Sequence, residues 1–254
     1  MKANDWFYSG TSGLVLPVKN KQLYPLEFQH KSRLTYYASL FNSIEINSSF
    51  YKIPMASTVA KWAGEVPDSF RFTFKLWREI THQKGLVFNP QDVEHFIRTI
   101  DNVGNKKGCL LVQFPPSFKL PLVNRLNALL IAIRDSDAEG KWNVLVEFRH
   151  SSWYDDEVYE LLDSYGVGIV VHDKPASETP FLNSDLEFSY LRFHGPNGDY
   201  RGIYSDDFIM DYAERIRDLH SEGKKVFVYF NNTMGDAIKN LISLNQLVNE
   251  EEGI

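Results

Sequence analysis

Eight short apolar runs recur along this chain of 254 residues, one per roughly 32 (254/8), and most of the stretches between them carry apolar residues at helical spacing. The runs are residues 8–13, 43–50, 70–77, 108–114, 143–150, 167–173, 188–195 and 225–232. Strand and helix alternating at that period over about 250 residues predict an α/β fold, the (β/α)8 TIM-type barrel. The intervening helices are predicted at 27–42, 54–63 (capped by Ser57 or Thr58), 89–103 (opened by Asn89 and Pro90) and 122–134. Three more follow at 153–165 (stopped by Gly166), 205–221 (capped by Ser205) and 234–249. Residues 174–187 show no helical period, so the sixth helix is predicted to be short or missing. The alternative is a doubly wound open sheet. It is disfavoured because Gly10-Thr11-Ser12-Gly13 is too short for a G-x-G-x-x-G fingerprint and has no Walker lysine. No linker, low-complexity tract or charge block interrupts the pattern, and residues 1–254 read as a single domain.

Composition narrows the function classes. A chain with 43% hydrophobic and 14% aromatic residues can build one large core. Its formal charge of −6 and pI of about 5.7 disfavour non-specific binding to nucleic acid or a membrane surface, leaving only a local basic cleft as a route to nucleic acid. The single cysteine, Cys109, lies in an apolar run; it forms no internal disulfide and offers no thiolate cluster for a metal. The first residues do not resemble a signal sequence, and no apolar run reaches the ~18–20 residues of a membrane span. A soluble cytoplasmic protein is expected. Nothing in these patterns fixes an oligomeric state.

In a barrel the chemistry sits where the strands end and their following loops begin. The polar residues at those ends are Ser9, Thr11 and Ser12, then Glu45 and Asn47, Lys75, Gln113, Glu147 and Arg149. His172 and Asp173, Arg192 and His194, and Asn231 and Asn232 complete the set. Glu147 and Arg149 alternate with Val146 and Phe148, so the charged pair faces one side and the apolar pair the other. Buried charges are costly unless they face each other or a polar cavity. A lysine desolvated beside Arg149 and Arg192 would have a depressed pKa, which suits proton abstraction or Schiff-base chemistry at Lys75. Of His172 and Asp173, which are adjacent, Asp173 is the one expected to face inward. Two arginines and a lysine point to a small anionic ligand held by charge-assisted hydrogen bonds. No cofactor is predicted. A divalent metal would have Glu147, Asp173 and His194 to hold it, with Glu45 nearby, but without an H-E-x-x-H or D-x-D motif.

Purely structural duties compete for the same residues. Glu147 and Arg149 could be an ion pair fixing register, Glu45 a helix cap, Lys75 a solvated strand end, and Asn231 and Asn232 turn residues. Trp77, Phe114, Trp153, Phe193 and Tyr229 could wall the mouth or simply close the barrel top.

The runs also resemble the YecE-like family (domain of unknown function 72, UPF0759). The resemblance is carried by residues 41–51 (FNSIEINSSFY), 111–118 (LVQFPPSF), 146–153 (VEFRHSSW), 190–195 (YLRFHG) and 228–232 (VYFNN). The chain departs from that family's pattern at Leu14, Val15 and Thr233. The resemblance implies a TIM-type barrel and a set of recurrent mouth residues: Glu45, Asn47, Gln113, Glu147, Arg149, Asp173, Arg192, His194, Asn231 and Asn232. It implies no particular activity. The leading expectation is an enzyme, a hydrolase, lyase or isomerase, working by acid/base chemistry on a small anionic or phosphorylated sugar-like substrate. Glu45, Glu147, His194 and Lys75 are its candidate catalytic groups. Arg149 and Arg192 would bind the anion, with Asn47, Gln113, Asp173, Asn231 and Asn232 also contacting the substrate. The alternatives are a divalent-metal phosphodiesterase or nuclease, and a non-catalytic anion-binding module.

Overall fold

A computed structural model describes residues 5–180 and 185–250, in which strand and helix alternate from Phe7 to Glu250. The strands are β1 (Phe7–Thr11), β2 (Ser43–Ile46), β3 (Arg71–Lys75), β4 (Lys107–Gln113) and β5 (Asn143–Glu147). Then come β6 (Gly168–Ile169), β7 (Val171–His172), β8 (Phe188–Phe193) and β9 (Lys225–Phe230). All pairings are parallel and form two sheets, β2-β3-β4-β5-β6 and β1-β9-β8-β7. The expected single continuous ring is therefore not what the ladders show.

Two seams divide the sheets, and each has a local cause. Between β1 and β2, side chains take the place of a backbone ladder. Asn42 accepts from the Ser9 amide at 2.9 Å and donates to the Phe7 carbonyl at 2.7 Å. The Tyr37 hydroxyl accepts from the Thr11 amide at 2.7 Å and donates to the Ser43 carbonyl at 3.1 Å. Only at the top do the two main chains meet, through a Ser12–Glu45 bridge and a 2.8 Å bond from the Gly13 amide to the Glu45 carbonyl. Gly10 makes this approach possible: a Cβ there would lie 2.1 Å from the Ser43 carbonyl oxygen. The second seam runs through the run predicted at 167–173. It divides around Val170, so that β6 pairs with β5 while β7 pairs with β8. The Thr179 hydroxyl donates to the Val170 carbonyl at 2.8 Å, filling the gap.

The two-residue period of the strands sorts their side chains into two cores. Ile44, Phe72, Phe74, Leu110, Val112, Val146, Leu191, Val226 and Val228 face outward and pack with the helices. Tyr8, Cys109, Leu111, Leu145, Val170, Tyr190, Phe227 and Tyr229 meet on the inner side. The helices Arg33–Leu40, Ala56–Gly64, Pro90–Ile100, Val123–Ser136, Asp156–Ser164, Asp206–Ser221 and Ala237–Glu250 follow the order read from the sequence. Asn89 and Ser205 cap their helices as expected, accepting from the amides of Gln91 and Phe208.

Three local expectations need correction. Residues 48–50 do not extend β2 but enter a helical turn, Ser48–Tyr51, pinned by the Ser49 hydroxyl to the carbonyls of Ile46 and Lys75. Neither Ser57 nor Thr58 is a cap, because the helix begins at Ala56 with Met55 preceding it. The helix predicted at 27–42 is a single turn at Leu26–Phe28 followed by Arg33–Leu40, which Ser32 caps. Residues 174–180 and 185–187 contain no helix, in keeping with the missing sixth one; the intervening 181–184 lie outside the described residues. No helix among the described residues is long and apolar enough to cross a membrane.

Candidate functional site

At the carboxyl ends of the strands the inward positions change from apolar to charged. In β8, Tyr190, Arg192 and the following His194 share the inner side, while Leu191 and Phe193 face the helices. Arg192 is only 1% exposed and is the centre of the cluster. Its Nε and Nη2 grip Glu45 from β2 at 2.9 and 2.8 Å, in the two-pronged geometry that a guanidinium and a carboxylate favour. Its Nη1 donates to Glu147 from β5 at 3.1 Å and to His194 Nε2 at 2.7 Å, and Nη2 also reaches Ser12 Oγ at 3.1 Å. All five N–H groups are thus used within the protein. Glu45 further accepts from Ser12 and Tyr190, and Glu147 pairs with Arg149. Burial pushes both carboxyls up, but their guanidinium partners prevail: Arg192 holds Glu45 below its ordinary value, and Arg149 and Arg192 hold Glu147 well below. Both carboxylates are fully buried and engaged by guanidinium groups, an arrangement that favours their ionised form.

His194 is held from both sides. Its main-chain amide and Nδ1 both meet Asp173 Oδ1, at 2.8 and 3.1 Å, and Tyr204 donates to the other Asp173 oxygen. Arg192 and Arg149 both present N–H groups to Nε2, at 2.7 and 2.9 Å, so Nε2 accepts and the ring proton sits on Nδ1. Burial and the neighbouring Arg192 outweigh Asp173 and lower the His194 pKa to about 4. Asp173 does turn toward the cluster, where it orients the imidazole. Its neighbour His172 is buried as well, donating from Nε2 to the Phe148 carbonyl at 2.9 Å. The possible metal set of Glu147, Asp173 and His194 does not assemble. Its donor atoms face guanidinium groups or each other, and no group of three such side chains among the described residues could hold an ion.

Above this buried layer lie Lys75, Gln113 and Arg149, with exposures of 8%, 8% and 9%. Lys75 Nζ donates to Gln113 Oε1 at 2.7 Å and stands 4.1 Å from the centre of the Phe50 ring. Burial, then Arg192, brings the Lys75 pKa down to about 7, against the opposing pull of Glu147 and Glu45. Arg149 is committed only through Nη2; its Nε is buried with no hydrogen-bond partner among the described residues. Asn47 donates to Ser12 and leaves its Oδ1 buried and unpartnered.

The remaining expectations divide. Asn231 is buried at the end of β9, where its amide bonds the Phe193 carbonyl. Asn232 turns away, donating to the Gly202 carbonyl and to Asn240 on the last helix, so it braces a loop and does not contact the cluster. Of the first-strand residues only Ser12 joins the cluster: Ser9 bonds Asn245 on the last helix, and Thr11 bonds Gly13 and Tyr37. Phe114, Trp153 and Phe193 pack in the outer core and Tyr229 lies inside, bonded to Ser43 and Thr73. These four therefore do not wall a mouth. Tyr190, Tyr204 and Phe50 join the cluster through Glu45, Asp173 and Lys75, and none of them is among the polar strand-end residues read from the sequence. Tyr190 was legible there, since it stands two residues before Arg192 on the same side of the strand. Nothing local marks Tyr204, which reaches Asp173 from a loop.

A family model described as "Protein of unknown function DUF72" matches residues 8–254. The UPF0759 protein YunF of Bacillus subtilis (strain 168) is 28% identical over 262 residues, covering 90% of this chain and 91% of the relative. The UPF0759 protein YecE of Escherichia coli (strain K12) is 30% identical over 122 residues, 46% of this chain and 42% of the relative. A solved DUF72 family protein from Thermotoga maritima MSB8 superposes with a TM-score of 0.76 at 27% identity, over 95% of this chain and 98% of the other. One from Enterococcus faecalis V583 gives 0.78 at 23% identity, over 96% and 95%.

Proposed function

The chain belongs to the DUF72 family, and on that premise we propose that it is a single-domain (β/α)8-barrel enzyme acting on a small anionic, phosphorylated-sugar-like substrate at the carboxyl ends of its strands. The single observation that carries this reading is the difference between two arginines. Arg192 has every N–H engaged, while Arg149 keeps a buried Nε–H without a partner. A buried, unsatisfied charged donor costs about 1–3 kcal/mol or more, and an anionic ligand would supply the missing acceptor. Arg149 alone is therefore the anion holder in this reading, and Arg192 becomes the rigid support beneath it. Acid/base duty passes from Glu45 and Glu147 to Lys75, whose pKa of about 7 allows a neutral amine to take a proton at physiological pH. In this reading Asn47, whose buried Oδ1 has no partner among the described residues, would orient a substrate hydroxyl, while Gln113 holds the lysine. A lysine base fits a lyase or isomerase that removes a proton next to a carbonyl better than it fits a hydrolase. We place this work in the cytoplasm.

Thermal denaturation in the presence of inorganic phosphate or glucose 6-phosphate tests the reading. At a ligand concentration near one hundred times Kd, the wild type should gain about 5–10 °C in Tm. Arg149→Gln should show little or no gain. No response in the wild type, or equal responses in both proteins, would overturn the assignment.

A further inference from the structure

Three lysines among the described residues are buried, and they are not alike. Lys106 has Asp68 at 3.3 Å and the carbonyls of Ala63 and Val66, and Lys224 has Glu222 at 2.9 Å. Lys75 has no carboxylate within ion-pair distance among the described residues; its one hydrogen-bond partner is a neutral amide oxygen. That amide is fixed, because Gln113 Nε2 donates to the Phe114 carbonyl and so turns Oε1 toward the lysine. The strand end is fixed too, by the Ser49 hydroxyl on the Lys75 carbonyl. An uncharged amine there spends one N–H on Gln113 and keeps its lone pair free. Phe50 shields the same nitrogen from water on one side.

Resting on the anion site proposed above, and giving Lys75 a covalent role in place of the general-base one, we infer that Lys75 is a nucleophile that forms a covalent imine with a small aldehyde or ketone carrying a carboxylate or phosphate, the anion held by Arg149. The amine nitrogen bonds to the carbonyl carbon, and the carbonyl π pair moves to oxygen. The nitrogen's proton passes to that oxygen through water, giving a carbinolamine. A second proton from solvent allows the C–O bond to break and water to leave, while the nitrogen lone pair completes the C=N bond. No oxidant or reductant takes part. The resulting iminium withdraws electrons from the adjacent carbon, which is the activation that a lyase or isomerase needs. Charged groups acting on this nitrogen come from several elements: Arg192 from β8, Glu147 from β5, Glu45 from β2, and Arg149 beyond β5. His82 faces it as well and stays neutral above about pH 4.

Trapping with sodium cyanoborohydride and peptide mass mapping tests the imine. Glyoxylate serves as the carboxylate probe and glyceraldehyde 3-phosphate as the phosphate probe; the faster one identifies the anion. Lys75 in the wild type should be reductively alkylated well before the exposed lysines, with a rate that rises as pH passes through about 7. Arg149→Gln should slow labelling at Lys75 by about ten- to a hundredfold without changing the exposed lysines. Lys75→Arg should lose the adduct, its folding checked by Tm. If Lys75 labels no faster than exposed lysines while phosphate still raises Tm through Arg149, the imine is refuted and the anion site stands. Failure of both responses would refute the function proposed above as well.

Discussion

At the scale of single residues, Arg192 and Arg149 show how one residue type takes two roles from its partners. Two buried carboxylates, Glu45 and Glu147, are balanced by two guanidinium groups, and Arg192 alone touches both acids. Removing it would leave Glu45 buried without its cationic partner, a change that typically costs 3–5 kcal/mol. Arg192→Met should therefore lower unfolding stability by about 3–5 kcal/mol or prevent folding, as read by urea denaturation. Lysine should not rescue it, since an ammonium has three donors at one point where the site uses five spread over a planar fork.

At the scale of elements, the seam between β1 and β2 depends on two side chains from the Arg33–Leu40 helix and its exit, Tyr37 and Asn42. Each satisfies main-chain groups that a strand ladder would otherwise pair. Tyr37→Phe strands the Thr11 amide and the Ser43 carbonyl in a buried setting, and Asn42→Ala does the same to Ser9 and Phe7. Each substitution should cost about 1–3 kcal/mol. Amide hydrogen exchange should show lost protection confined to Ser9 and Thr11 before global unfolding, with β3, β4 and β5 unchanged. The same seam holds Ser12 against Glu45, so its loosening should also weaken phosphate binding through the network that supports Arg149.

At the scale of the whole molecule, the buried cluster makes stability depend on acid. Unfolded histidine takes a proton near pH 6.5 and unfolded glutamate near 4.5, whereas the folded protein holds His194 and His82 at about 4 and Glu45 and Glu147 lower than usual. Below these ordinary values the unfolded chain binds more protons than the folded one, so the contribution of these groups is complete above about pH 6.5 and is lost as pH drops through 4. Urea midpoints should accordingly decline steadily below about 6.5, with His194→Gln shallower between 6.5 and 4, and should rise between pH 7 and 8 because Lys75 is held at about 7 when folded and near 10.5 when unfolded. Much of this design is legible in the sequence. The spacing of eight apolar runs sets the order of strands and helices, and the two-residue alternation sets which side chains face inward, so Glu45, Lys75, Gln113, Glu147, Arg149, Arg192 and His194 can be named from the chain alone. The alternation fixes a face but not a partner. Arg149 and Arg192 have similar local patterns, each at the polar end of an apolar strand, and only the folded arrangement gives one of them two carboxylates and leaves the other a free donor. The Arg192–Glu45 pair spans 147 positions in the chain. Pairings between distant strands are set by how two sheets meet, through a seam of side-chain hydrogen bonds that local periodicity does not encode.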